Sequence, residues 1–172
     1  MTLTQLASPY EVAGIGLIEV GDDKETFYVK KIFLPRQTAG FSYATTEDYA
    51  MNEIIADVVS EDENNAEKLR FRWHSHAEGS VFFSSHDEND IASQSADWVV
   101  NLVVNTKGGS IARFDAFNPI RIINYPVSIF VDYTDTDTTQ ATQQLANIKR
   151  ADGEADGKTK GTFFRIKLKG GW

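Results

Sequence analysis

The sequence contains no cysteine among its 172 residues. Disulfide bonds are therefore excluded, and so is every zinc site with thiolate ligands, including the His/Cys/Cys site of the nucleobase deaminases. Basic residues are also scarce, with 17 against 25 acidic ones and a net charge of -8. Since a broad phosphate-binding surface needs an excess of positive charge, we expect no nucleic acid among the partners.

Long hydrophobic runs are missing as well. No apolar stretch approaches the roughly 20 residues that a membrane-spanning helix needs. Residues 1–10 have neither the basic start nor the apolar centre of a secretory signal. The sequence therefore predicts a cytoplasmic protein with no membrane partner. Its 41% hydrophobic and 24% charged residues are typical of a soluble domain, and its length suffices for one folded core.

The residues that could carry chemistry are concentrated between positions 69 and 88. The pattern of residues 69–76 predicts a β-strand, on which alternate side chains share a face. His74 and His76 therefore point in one direction and Trp73 in the other, so both imidazoles can reach one metal ion at the end of the strand. A lone His-x-His pair is weak evidence, because surface strands carry such pairs by chance.

A carboxylate that could complete the site follows at Asp87. Ser85, with Glu88 three residues later, is typical of a capping box, which places Asp87 in the first turn of a helix. The positive end of the helix dipole there favours an ionised carboxylate. Two imidazole nitrogens and one carboxylate oxygen leave a fourth tetrahedral position open, which is the arrangement of catalytic rather than structural zinc.

Taken together, these positions resemble a motif of a known family, the JAMM motif of the JAB/MPN metalloproteases. The residues that carry the resemblance are His74-Ser75-His76 and Ser84-x-x-Asp87, together with an upstream Glu-x-x-Gly at Glu11-Val12-Ala13-Gly14. Ala77 stands where the family motif usually has proline, a departure that removes no ligand. The similarity extends from about residue 10 to about residue 118.

The resemblance implies an enzyme that hydrolyses an amide with one zinc ion per chain. It assigns His74, His76 and Asp87 as the metal ligands. Zinc held in this way lowers the pKa of its water from about 15.7 toward 7, so that a nucleophile is available at neutral pH. Glu11 is implied as the general base and then the general acid. Ser84 is implied as a hydrogen-bond donor to the developing oxyanion.

The residues alone leave two of these assignments open, the identity of the general base and the role of Ser84. Glu19 and Glu78 could serve as the base instead of Glu11, although Glu78 lies in the loop after the histidines, where we expect it to face water. Ser84 could be a helix cap rather than an oxyanion donor. His86 adjoins the site, but its place at the start of the predicted helix favours a surface residue over a fourth ligand.

The remaining pattern predicts an α/β domain. Further strands are expected at 12–20, 26–34, 98–104, 110–117 and 120–133. A helix capped by Thr45 or Thr46 should carry an apolar stripe that packs in the core, formed by Met51, Ile54, Ile55, Val58 and Val59. Another helix is expected at about 138–149. The resemblance implies the MPN (JAB) fold, a mixed, mostly antiparallel sheet flanked by helices with a cytidine-deaminase-like architecture.

The chain is predicted to consist of one domain and a tail. We expect the JAB/MPN metalloprotease domain at residues 1–150, and a flexible, charged, glycine-rich loop and C-terminal tail at 151–172. One more strand is expected at about 162–168. The tail ends in Gly170-Gly171-Trp172 after a basic segment, as a ubiquitin-like tail does. We interpret it as a frayed edge strand, with a substrate mimic or self-cleavage site as the alternative.

The function predicted from these residues is that of a zinc metallopeptidase or isopeptidase. By resemblance, the substrate is a peptide or the linkage after the C-terminal tail of a ubiquitin-like protein. One alternative is a catalytically silent MPN scaffold that binds partner proteins, and another is a phage or bacterial hydrolase of cell-wall peptides. Because silent relatives usually lose a ligand and this chain has all of them, catalysis is favoured. The oligomeric state does not follow from the residues.

Overall fold

The computed structural model describes residue 4, residues 7–132 and 143–152, and the backbone of 165–170. The strands in chain order are β1 (Ala13–Val20), β2 (Thr26–Phe33), β3 (Gln37–Ala39), β4 (Ala44–Thr46), β5 (Phe71–Ser75), β6 (Trp98–Val104), β7 (Ser110–Ala116), β8 (Ile122–Asp132), β9 (Ile148–Arg150) and β10 (Arg165–Gly170). The helices are α1 (Ala50–Glu61), α2 (Ser85–Ala92) and a 3₁₀ helix at Glu63–Lys68. No helix in the described part of the chain is long and apolar enough to cross a membrane.

Seven of these strands form one sheet that closes into a barrel in the order β1-β2-β10-β8-β7-β6-β5. β5 and β6 run parallel, and the other neighbouring strands of the barrel run antiparallel. A second, three-stranded sheet has the order β4-β3-β9. The predicted α/β fold with a mixed, mostly antiparallel sheet is confirmed. β10 confirms the strand expected at about 162–168, although it lies between β2 and β8 rather than at an edge.

The two faces of β5 separate the hydrophobic core from the outer surface. Phe71 and Trp73 are buried in the core cluster. Arg72 and His74 alternate with them and lie on the opposite face, where they line a cleft. The alternation predicted for this strand is confirmed, because successive side chains of a strand point to opposite sides of the sheet.

Two glycines of β1 allow the aromatic residues of β5 to pack closely. Gly14 and Gly16 pair across the sheet with Trp73 and Phe71. A Cβ atom at Gly16 would lie 2.6 Å from the Lys31 carbonyl oxygen and 3.0 Å from the Phe71 ring. At Gly14 it would overlap the Trp73 indole. Glycine is therefore required here by the close approach of neighbouring groups and not by a turn.

Helix α1 begins later than the sequence predicted. The two threonines expected to cap it belong to β4, and the chain turns instead at Tyr49 (φ 67°), which has no side-chain cap bond. Of the apolar stripe, Val58 is buried, but Ile55 and Val59 are 41% and 39% exposed. The prediction of core packing is wrong for these two residues, because α1 buries only a narrow edge of its surface.

The helix predicted at about 138–149 is wrong at its C-terminal end. Residues 148–150 form β9, which pairs in parallel with β3. The backbone N–H of Gln37 also donates to the carbonyl of Asn147, at 2.9 Å. The open edge of β3 thus determines the conformation of a segment distant in sequence. Residues 138–142, and the predicted loop and tail at 153–164 and 171–172, lie outside the described residues.

Candidate metal centre and its cleft

The two histidines lie where β5 ends. β5 is an interior strand, paired with β1 on one side and β6 on the other. His74 pairs with Ala13 and Val103. His76 follows the strand, and its backbone N–H donates to the carbonyl oxygen of Val104 at 2.9 Å. The backbone that carries the two imidazoles is therefore hydrogen-bonded to the neighbouring strands.

Three side chains converge at this point. The Nε2 atoms of His74 and His76 are 3.1 Å apart, and an Asp87 carboxylate oxygen lies 3.5 Å from the Nε2 of His74. One ligand atom from each residue lies within 4.8 Å of the others, so the group could hold a metal ion. Donor atoms on a tetrahedral zinc ion at its usual bond lengths are about 3.3 Å apart. The residues present therefore fit zinc in donor chemistry and in spacing.

The imidazoles are prepared to act as neutral ligands. The Nδ1 of His76 lies 2.7 Å from the carbonyl oxygen of Ser80, which can only accept, so Nδ1 carries the proton and Nε2 presents its lone pair. Burial lowers the pKa of the His74 imidazole; the negative charge of Asp87 opposes the shift, and His76 lowers the pKa further only when it is itself protonated. A lowered pKa keeps the His74 ring unprotonated and able to bind a cation.

Asp87 is oriented by the start of α2. Ser84 is the N-cap residue, and its hydroxyl accepts from the backbone N–H of Asp87 at 3.3 Å. The Oδ2 atom of Asp87 accepts from both the backbone N–H and the hydroxyl of Ser84, each at 2.6 Å. The prediction that Asp87 lies in the first turn is confirmed. The capping box, however, pairs Ser84 with Asp87, and the predicted pair of Ser85 and Glu88 is wrong.

Arg113 of β7 anchors the start of α2 to the barrel. Its side chain is 2% exposed, and its guanidinium donates to both carboxylate oxygens of Glu88, at 2.5 and 3.0 Å. Its Nε donates to the buried Asp115 at 2.8 Å. It also lies over the Phe83 ring, 4.8 Å from the centroid. Arg113 therefore holds the chain on both sides of Ser84.

This arginine was not identified from the sequence, which placed it only on a strand. Asp115 is bonded further, since it accepts from the Asn101 side chain at 3.1 Å and from the backbone N–H of Asn124 at 2.8 Å. A signal was present in the pattern. Arg113 and Asp115 are opposite charges at alternate positions of a strand that lies next to an apolar one, and such charges are seldom buried unless they are paired.

Glu11 reaches the centre from the chain just before β1. Its backbone N–H donates to the Gly40 carbonyl at 2.8 Å. Ser75 accepts from the N–H of Val12 at 3.0 Å, and the buried Gln37 side chain bonds both the N–H and the carbonyl of Ala13, at 2.9 and 2.8 Å. These bonds hold the backbone that carries Glu11 beside the end of β5.

The surroundings of Glu11 change its acidity. Burial raises the pKa of its carboxyl, His76 lowers it when the imidazole is protonated, and the negative charge of Asp87 raises it. The net direction is upward, and the two named charges belong to the candidate metal ligands. A carboxyl with a raised pKa is a stronger base than an exposed one, which suits a residue that must take up and return a proton.

The rival acids and the third histidine lie in other environments. Glu19 is near the far end of β1 and pairs with Lys30 at 3.2 Å. Glu78 lines the cleft but is exposed, and its carbonyl accepts from the side chain of Lys107. The His86 side chain is 85% exposed. Among these three glutamates, Glu11 is therefore the one whose pKa is shifted by charges of the ligand group.

The cleft around the centre is open and has aromatic borders. Its volume is about 1020 Å³, and its lining includes Glu11, the three converging side chains and the segment 41–46. The Phe82 ring meets His76 edge-on with 4.8 Å between centroids, and Phe83 approaches His74 in the same way at 6.5 Å. Phe41 and Phe82 are 66% and 52% exposed. The three converging side chains therefore lie in an open cleft with aromatic side chains at its borders.

Two comparisons with known proteins bear on this chain. The family described as prokaryotic homologs of the JAB domain matches it over residues 1–118. The matched region includes Glu11, His74, His76, Ser84 and Asp87. No curated protein matches the chain.

Proposed function

We propose, on the premise that the chain belongs to the prokaryotic homologs of the JAB domain, that it is a zinc-dependent metallopeptidase or isopeptidase. The observation that carries the proposal is the convergence of two imidazole nitrogens and one carboxylate oxygen within 4.8 Å, beside a partly buried glutamate. His74, His76 and Asp87 would hold the zinc ion, which would supply a bound water of lowered pKa and a positive charge that polarises a carbonyl group. Hydrolysis of an amide needs both effects.

Glu11 is proposed to move the protons of the reaction. Its carboxylate takes a proton from the attacking water and then gives it to the nitrogen of the leaving amine. This requires Glu11 to be ionised in the resting enzyme and protonated after the attack. A raised pKa makes the second state accessible, because the energy needed to protonate the carboxyl is smaller.

Ser84 is proposed to donate a hydrogen bond to the oxygen of the carbonyl as negative charge develops on it. The hydroxyl has one proton, which is directed at Asp87 in the free protein. Donation to substrate requires the hydroxyl to turn away from Asp87. The backbone N–H of Ser84 keeps its own bond to the same Asp87 oxygen, at 2.6 Å, so the carboxylate stays oriented during this turn.

The proposed substrates are peptides and proteins joined through a ubiquitin-like C-terminal tail. The open, aromatic-bordered cleft supports an extended segment as the ligand. A catalytically silent scaffold would need neither a complete set of metal donors nor a base with a raised pKa, and this chain has both. The alternative of a cell-wall peptide hydrolase uses the same chemistry on a different amide.

A single set of reactions tests the proposal. The purified protein, zinc-loaded and chelator-treated in parallel, is incubated with ubiquitin-like fusions, isopeptide-linked conjugates, unstructured peptides and cell-wall peptides. We expect zinc-dependent cleavage of at least one class, abolished by the chelator and restored by added zinc. Binding of partner proteins without any cleavage, together with no bound zinc, would support the scaffold instead.

A further inference from the structure

Arg72 occupies a position in the cleft that the metal chemistry does not explain. It lies two residues before His74 on β5, on the same face, and lines the same cleft. Residues at this spacing on a strand are about 7 Å apart. The Arg72 side chain thus starts from the same interior strand as the candidate metal ligands and enters the same cleft, at a spacing of about two residues of an extended chain.

The described residues give Arg72 no hydrogen bond and no ion pair. Its neighbours on the adjoining strands are Ile15, which is apolar, and Asn101, whose side-chain amide already donates to Asp115. Asp90 on α2 is the carboxylate whose charge acts on it, but no ion pair forms between them. The Asp90 side chain is 63% exposed and lies nearer to His86, at 3.6 Å.

Two arginines on the same side of the sheet therefore differ sharply. Arg113 is bound by two carboxylates and covered by an aromatic ring. Arg72 is half-buried and has no such partner. A cation that is partly removed from water without a counter-charge is unfavourable for stability. Its planar fork of donors is the geometry that binds a carboxylate most specifically.

We propose that Arg72 binds a carboxylate of the substrate, so that the enzyme prefers an anionic group within about two residues of the amide it cleaves. This inference rests on the proposed function and adds the charge of the substrate to it. The carboxylate can belong to an acidic side chain or to the free C-terminus of a short leaving segment. Basic residues at the same distance from the scissile bond are disfavoured by repulsion.

The test uses matched peptides built on whichever sequence the enzyme cleaves. Each has Glu, Gln or Lys at one position on either side of the scissile bond, and the C-terminus is either free or amidated. The wild type should cleave the best Glu peptide about tenfold to a hundredfold faster, in kcat/KM, than its Gln counterpart. If the free C-terminus is the ligand, amidation rather than the Glu-to-Gln change should cause this loss.

Variants of Arg72 decide whether this residue is responsible. Arg72→Gln should bring the ratio between the anionic and neutral peptides close to one, and Arg72→Glu should reverse it in favour of Lys. The matched control is Arg121→Gln, which changes an exposed arginine that does not line the cleft and should preserve the ratio. An unchanged preference in Arg72→Gln, or no charge preference in the wild type, overturns the inference.

A binding measurement separates this inference from the proposed function. In the Glu11→Gln background, calorimetry with the Glu and Gln peptides should show the same preference in Kd, which Arg72→Gln should remove. If the zinc-loaded wild type leaves every peptide of the panel uncut, the same Glu and Gln substitutions are made in the panel peptide that binds most tightly; a preference for Glu that Arg72→Gln removes then supports carboxylate binding by Arg72, although the proposed function fails. If cleavage occurs and both peptides bind equally, the proposed function holds and the inference fails.

Discussion

The cleft has a ligand side, which consists of α2 with Ser84 and Asp87, and a base side, which consists of residues 11–13 before and within β1. Charged groups hold the ligand side, since Arg113 bonds Glu88 and Asp115. Neutral groups hold the base side, through the buried side chains of Gln37 and Ser75 bonded to the backbone.

The difference matches what each side would support under the proposed function. A metal-ligating carboxylate needs an accurate position, and a bidentate guanidinium pair supplies it. A general base needs a pKa above that of an exposed carboxyl, and burial raises the pKa of Glu11. A guanidinium beside Glu11 would add to the positive charge of the proposed metal ion and oppose that shift further. Neutral hydrogen bonds can hold the backbone there without changing the acidity of the base.

The largest effect is expected from removing one of the two histidines that share the proposed metal ion with the ligand side. His76→Ala should remove the bound zinc and reduce cleavage to the background level, because two donors bind zinc far more weakly than three. Zinc content by elemental analysis and activity after dialysis check this. His86→Ala is the matched control and should keep about one zinc per chain. If His86→Ala loses the metal, the ligand assignment is wrong.

Breaking the base side should separate metal binding from chemistry. Glu11→Gln keeps the size of the side chain but cannot accept a proton, so kcat should fall by roughly a hundredfold to ten-thousandfold with zinc retained. Steady-state kinetics on the best substrate and elemental analysis together measure this. Full activity in Glu11→Gln would exclude Glu11 as the base and direct attention to Glu78.

Removing the charge that holds the ligand side should cost stability. Arg113→Met leaves the buried Asp115 without its cationic partner, for which a loss of about 3–5 kcal/mol in the free energy of unfolding is typical. Denaturant unfolding of the zinc-free protein measures it. Arg36→Met is the control, because Arg36 pairs with Glu47 and Glu53 on the exposed surface and should matter far less. Equal losses in the two variants would contradict a structural role of the buried network.

Ser84 joins the two roles of the ligand side, position and chemistry. Ser84→Ala should lower kcat about a hundredfold through loss of the oxyanion donor. It should also lower the free energy of unfolding by about 1 kcal/mol through loss of the helix cap. Ser85→Ala is the neighbouring control and should cause neither change. If Ser84→Ala reduces stability and leaves kcat unchanged, Ser84 is a cap only.

The smallest effect is expected in the pH dependence, which sharpens the description of the base side. Because burial raises the pKa of Glu11, its carboxylate becomes protonated at a higher pH than an exposed glutamate does. As the pH is lowered, the rate should therefore begin to fall at a higher pH than it would with an exposed glutamate as the base. The residual activity of Glu11→Gln should lack this acidic limb. An identical limb in both proteins would assign it to another group.

The sequence was sufficient where local pattern determines the structure. The alternation around Trp73 placed His74 on the outer face, and the short spacing from Ser84 to Asp87 placed the carboxylate in a first helical turn. It was insufficient where partners are distant in sequence. β9 forms on the open edge of β3, and Arg113 meets Glu88 from another part of the fold.

The cap of α2 shows a third kind of limit. Ser84 and Ser85 each have an acidic residue three positions later, so both fit the capping pattern. The structure selects Ser84, whose preceding residue Phe83 is covered by Arg113. A tertiary contact thus decides between two local solutions that the sequence makes nearly equivalent.

The position of β10 has a consequence for how the protein is made on the ribosome. β10 closes the barrel between β2 and β8. Every residue of the metal centre, from Glu11 to Asp87, leaves the ribosome before it does. At about 5–20 residues per second, several seconds separate the synthesis of Asp87 from that of β10. The proposed metal ligands are therefore all synthesised before the strand that closes the barrel.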